Sequence, residues 1–161
     1  MMTPSHPGGS PMAPETDSAP WRAHIEVMEQ AVERGDAGDA IRAWRAAYAA
    51  ALDHPGWSGL VQVAAAALRV SRIPGFSKAS EARARETYWT ALFRARRQGS
   101  LAGVLQTAEA FGVLGDSAMV EQCIRVAQGL AALGADAQAS ARVHAIAADL
   151  VRRYVEVARA G

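Results

Sequence analysis

The chain has 161 residues, half of them apolar and only 6% aromatic, with 20% charged and a formal net charge of +1. That length suits one domain with a real core, and the balance is too apolar and too nearly neutral for a disordered chain. With no run of about 18 apolar residues, the sequence offers no membrane span.

Much of the apolar fraction is small, because 37 residues are Ala. A single cysteine, Cys123, excludes an intramolecular disulfide and a cysteine-based zinc cluster. No basic segment followed by an apolar stretch opens the chain, so the expected location is the cytoplasm. Lys78 is the only lysine and Asn is absent, a skew that points to a GC-rich bacterial genome.

Five of the seven prolines fall within residues 1–20, among Gly and Ser, and this stretch is expected to be a disordered tail. No PxxP with a basic flank marks it as a docking ligand. From Trp21 onward, Ala, Leu, Arg, Glu and Gln give high helix propensity. Glycine followed by a capping residue punctuates the chain at Gly35-Asp36, Gly99-Ser100, Gly115-Asp116 and Gly134-Ala135-Asp136. Two proline breaks, at 53–56 and 73–77, complete the set. These marks predict seven helices near 21–34, 36–53, 57–72, 78–98, 100–114, 116–133 and 136–160. No segment alternates apolar and polar residues at period two, so no sheet is expected.

The predicted links are short, which makes consecutive helices antiparallel neighbours. The expected object is an all-α domain over 21–161, built as antiparallel helical hairpins, with a break near 73–77. Gly99 and Gly134 lie 35 residues apart, near the length of about 34 for a two-helix solenoid repeat.

Gly35, Ala40, Trp44 and Ala47 follow the spacing of a helical-hairpin motif, with small residues at the close approach and an aromatic in the groove. Ala108 and Phe111 before Gly115-Asp116, with Val120, Ile124 and Ala127 after it, repeat the pattern. The chain here resembles tetratricopeptide-like repeat proteins, over about 28–54 and 104–131. The resemblance implies a right-handed hairpin array or bundle that binds partner proteins. It transfers no functional residues.

Chemistry-bearing arrangements are not legible. His6, His24, His54 and His144 are dispersed, no Glu-x-x-His occurs, and no phosphate-binding loop surrounds Lys78. Ser58 in Gly56-Trp57-Ser58-Gly59 reads as a first-turn residue, and Cys123 as a small buried hydrophobe. His144, beside Val143 and Ala147, reads as a partly buried or capping histidine. The expectation is a protein that is not an enzyme, with no cofactor and no metal.

Charge is uneven. Residues 1–68 carry 4 basic and 8 acidic side chains, residues 69–97 carry 8 and 2, and residues 98–161 carry 5 and 6. On helix 78–98, Arg83, Arg94 and Arg97 fall on one flank at 100° per residue. Arg85 and Arg96 fall on the other, with Trp89 and Phe93. Tyr88, Ala91, Leu92 and Ala95 form the inner face. Trp and Phe belong more often to cores, which favours a central helix with solvated arginines. Exposed, the same residues form an interaction patch: Arg83, Arg85, Trp89, Phe93, Arg94, Arg96 and Arg97. A non-catalytic adaptor or scaffold with a protein partner is the function these residues point to. Nucleic-acid or polyanion binding through 78–98 is the alternative. A helix-turn-helix around Gly112 fails, because Asp116 and Glu121 would face the phosphates. The last helix carries a seam of Val143, Ala147, Leu150, Tyr154 and Val157, suited to packing on its own domain or to dimerisation through 136–160.

Overall fold

The computed structural model describes residues 19–161, so the tail expected over residues 1–18 lies outside the described residues. Seven helices fill the described chain, with no strand among them. They are α1 (Pro20–Glu33), α2 (Ala37–Asp53), α3 (Ser58–Val70), α4 (Ser77–Arg97), α5 (Leu101–Val113), α6 (Ser117–Leu133) and α7 (Ala137–Leu150). The last continues through a π-helical stretch, Val151–Glu156, to a final α-helical turn, Val157–Ala160. The fold is all-α, and the helix limits fall within about two residues of the expected ones.

Three turns share one mechanism. At Gly35, Gly99 and Gly115 the backbone is left-handed (φ +71°, +64° and +78°), a region open to glycine. The next residue does two jobs. The amide of Asp36 closes α1 by donating to Ala31 O at 2.9 Å, while its carboxylate accepts from the Asp39 amide at 3.0 Å to open α2. Ser100 and Asp116 repeat this between α4 and α5 and between α5 and α6. The fourth turn departs from the pattern. Gly134 stays helical at φ −76°, and Ala135 takes the left-handed position at φ +51°. Asp136 still caps α7, accepting from the Gln138 and Ala139 amides.

Long-range contacts fix the order of the helices in space. Trp21, at the start of α1, lies on Gly59 at the start of α3. Trp57, which precedes α3, lies on Gly103 in the first turn of α5. Tyr154, late in the last helix, lies on Gly112 at the end of α5. The odd-numbered helices therefore run parallel in one layer. In the other layer, Arg94 near the end of α4 reaches the end of α2, and Arg85 early in α4 meets Asp116 at the start of α6. The even helices run parallel to one another, and opposite to the odd ones across the short turns.

One continuous core joins the layers, drawing buried residues from all seven helices. The motif residues Ala40, Trp44, Ala47, Ala108, Phe111, Val120, Ile124 and Ala127 are all buried. Trp44 fills the space between α2 and α3, and its indole N–H donates to Val63 O at 2.8 Å. The link 71–76 does not divide the chain, since Ile73 within it is buried and α3 packs on α4 across it.

The last helix uses its apolar seam internally. Val143, Ala147 and Leu150 are buried and Tyr154 is half-buried, while Val157 is exposed. The seam considered for dimerisation thus faces its own domain. Tyr154 Oη donates to Glu109 at 2.6 Å, and Arg153 pairs with the same carboxylate at 2.8 Å, so α7 is tied to α5. On the outer side of α7, Arg153 and Arg152 both pair with Asp149, at 2.8 and 2.7 Å. His144 is exposed, on the face away from the seam, which corrects its reading as partly buried.

Candidate interaction surface

α4 lies in the middle of the even layer, and its inner face is the one read from the sequence: Tyr88, Ala91, Leu92 and Ala95 are buried. Thr87, also buried, satisfies its hydroxyl on Arg83 O one turn back. Burial of that stripe fixes the directions of the remaining side chains.

The arginines go to different places. Arg85 pairs with Asp116 at 3.4 Å, linking α4 to the start of α6. Arg83 points to the opposite flank, its guanidinium 5.4 Å from the centroid of the Trp44 ring. Arg94 leaves the patch altogether. It donates to Leu52 O at 2.7 Å, to Ala51 O and Gly56 O at 3.3 Å, and to His54 O. Those carbonyls belong to the end of α2 and the loop after it, so one guanidinium satisfies acceptors that α2 leaves unpaired. Gln98 adds a hydrogen bond to Pro55 O at 2.7 Å.

Trp89 and Phe93 stay outside the core. Trp89 is 48% exposed and Phe93 59%, against the usual burial of these residue types. Trp89 stands edge-on to Phe111 at 6.2 Å, anchored on one side and open on the other. Arg97 lies over the Phe93 ring at 5.8 Å, on the aromatic flank rather than the one assigned from helical spacing. Arg96 faces α6 across a groove of about 390 Å³ lined also by Gln122, Arg125, Val126, Leu130 and Leu133. Leu133 is 84% exposed.

So Arg85, Trp89, Phe93, Arg96 and Arg97 come together beside a groove, and Arg83 and Arg94 do not join them. The α6 wall was invisible in the sequence. Its one trace is Gly129, a mid-helix glycine with nothing within 4 Å of where a Cβ would be.

No group of three or more potential metal ligands occurs among the described residues. Cys123 is buried against Thr107, its thiol pushed up to about 11 by burial, which leaves it protonated and poorly nucleophilic at neutral pH. No helix of the described chain is long and apolar enough to cross a membrane. No family model matches the chain, and neither a curated protein nor a solved structure is significantly similar to it.

Proposed function

We propose that this is a cytoplasmic protein-interaction module, a small tetratricopeptide-like hairpin array that binds a partner along the groove between α4 and α6. The exposure of Trp89 and Phe93 carries the reading. Two large aromatics one helical turn apart, held half in solvent and flanked by Arg96 and Arg97, have the composition of an interface hot spot. The groove beside them continues the apolar surface to Leu130 and Leu133, and Arg125 extends the basic rim. An acidic amphipathic segment matches this surface in shape and sign.

Polyanion binding is the weaker reading. Arg94 is consumed by carbonyls and Arg85 by Asp116, so the face offers Arg96, Arg97 and Arg125. Three phosphate contacts would give a log–log salt slope of only about −3, well short of the slope of about −10 of a strong DNA binder.

The test is affinity capture from the host lysate with nuclease, comparing the wild type with the triple variant Trp89→Ala, Phe93→Ala, Arg96→Glu. A protein retained by the wild type after nuclease and lost by the folded variant supports the reading. Equal retention by both removes it, and recovery that disappears with nuclease moves the function to nucleic acid.

A further inference from the structure

The other flank of α4 holds a second, separate feature. Between the first half of α2, the end of α3 and the start of α4 lies a cleft of about 110 Å³. Its walls are apolar, with Trp44 and Val70 buried and Phe76 half-buried. At its mouth stand Arg45 and Arg83, both exposed, and neither has a carboxylate partner within 4.0 Å among the described residues. Arg83 is held in place by its stack over Trp44.

Ser80 gives the cleft a polar end. It is 5% exposed and lines the cleft one helical turn before Arg83. Buried helical hydroxyls elsewhere bond back to their own helix, as Thr87 does to Arg83 O and Thr107 to Gly103 O. Ser80 makes no such bond to any described residue. No side-chain oxygen in the described protein is both sealed from solvent and unpaired, so this hydroxyl opens into the cleft. An apolar pocket thus ends in one unpartnered donor and two unpaired guanidinium groups, a combination that asks for an anion carrying a short hydrocarbon chain.

We propose that this cleft binds a free short-chain aliphatic carboxylate of about four to six carbons. The tail lies between Trp44, Val70 and Phe76. The carboxylate accepts from Ser80 Oγ and from the guanidinium groups of Arg83 and Arg45. Size sets the chain length: a dry cavity of about 150 Å³ holds benzene, and this cleft is smaller. The lining is confined to little more than one turn of α2, the end of α3, and Phe76 with the first two turns of α4, so the cleft seats one short chain and does not extend into a track for a polypeptide. The assignment is independent of the α4–α6 groove.

The experiment is a titration of the ¹⁵N-labelled full chain with sodium isovalerate at constant ionic strength, followed by amide shifts. Saturable shifts at Val70, Phe76, Ala79 and Ser80 are expected, with a dissociation constant on the order of 1 mM for so few atoms. Acetate, which lacks the tail, binds at least tenfold more weakly. Arg83→Gln and Ser80→Ala each weaken isovalerate about tenfold, as loss of a hydrogen bond to a charged group does. Arg83 is on the surface, so its variant reports even where Ser80→Ala disturbs the fold. Acetate binding as well as isovalerate overturns the proposal, as does an unchanged affinity in Arg83→Gln. Shifts that map instead to Phe93 and Leu133, or that appear on self-association without ligand, overturn it too. A Gly-Gly-Leu peptide with a free C-terminus that binds more tightly than isovalerate reassigns the cleft to a chain end.

Discussion

The two layers of this protein differ in how their helices meet, although the arginine–carboxylate pairs Arg69–Glu29 and Arg153–Glu109 cross the odd one as well. In the odd layer each pair of neighbouring helices meets at an aromatic ring pressed onto a glycine: Trp21 on Gly59, Trp57 on Gly103, Tyr154 on Gly112. The ring replaces the missing side chain and the helices close up at these crossings, although α1 and α3 part beside one of them into a groove lined by Arg22 and Arg69. In the even layer long cations span the gaps, Arg94 to the end of α2 and Arg85 to Asp116. Cations at that spacing leave clefts on both flanks of α4. A chain of this size can thus close-pack one layer on glycine and bridge the other with long side chains.

Substitutions at glycine draw the contrast most sharply. A Cβ at Gly103 would sit 2.7 Å from Ala95 Cβ and from the Trp57 ring. Gly103→Val is therefore expected to destabilise by about 3 kcal/mol, the upper range for overpacking. Chemical denaturation measures this, and a loss under about 1 kcal/mol would show that the odd layer has slack. In the even layer, the same class of change at Gly129 meets open space. Gly129→Ala should stabilise by about 1 kcal/mol through helix propensity alone.

Arg94→Ala tests the cationic link. It removes the partner of four carbonyls around the end of α2 and should cost about 2 kcal/mol, with Arg94→Lys recovering part of that. Ala135→Gly should gain about 1 kcal/mol by relieving a left-handed alanine, readable as a rise in thermal midpoint. If neither moves the midpoint, the even layer and the last turn depend on packing rather than on these contacts.

The smallest effect is that of pH. Hydrogen bonds from Arg153 and Tyr154 hold the Glu109 carboxyl below its usual range, and Arg152 does the same for Asp149. A carboxylate lowered in the folded state contributes stability that is full above its unfolded pKa and is lost as pH falls through the folded one. Thermal midpoints should therefore be flat near neutrality and fall below about pH 4, a fall that Glu109→Gln partly removes.

The helices were legible because their ends are written in local chemistry. Gly35-Asp36, Gly99-Ser100 and Gly115-Asp116 each combine a residue that permits a left-handed turn with one that caps, and both functions act within four residues. The inner face of α4 was legible for a similar reason, since 3.6-residue periodicity needs no knowledge of the partner helix. The candidate surface was only half legible. Helical spacing grouped Arg85, Trp89, Phe93 and Arg96, but it could not show that Arg94 has carbonyls within reach 40 residues away, nor that Trp89 and Phe93 sit beyond the edge of α5. The π-helical stretch had no sequence signal, whereas the fourth turn did: Asp136 is preceded by Ala135, so the left-handed position before the cap falls on alanine instead of glycine.

The double duty of Asp36, Ser100 and Asp116 also governs where the chain tolerates length. Most surface connections accept insertions at little thermodynamic cost, since loop entropy grows slowly. Here a single added residue would separate the amide that ends one helix from the side chain that starts the next, and would rotate the following helix by about 100°. The 54–57 and 71–76 links have no residue serving two helices in this way, but Arg94 and Gln98 hold the first and the buried Ile73 anchors the second, so added length costs contacts there rather than caps.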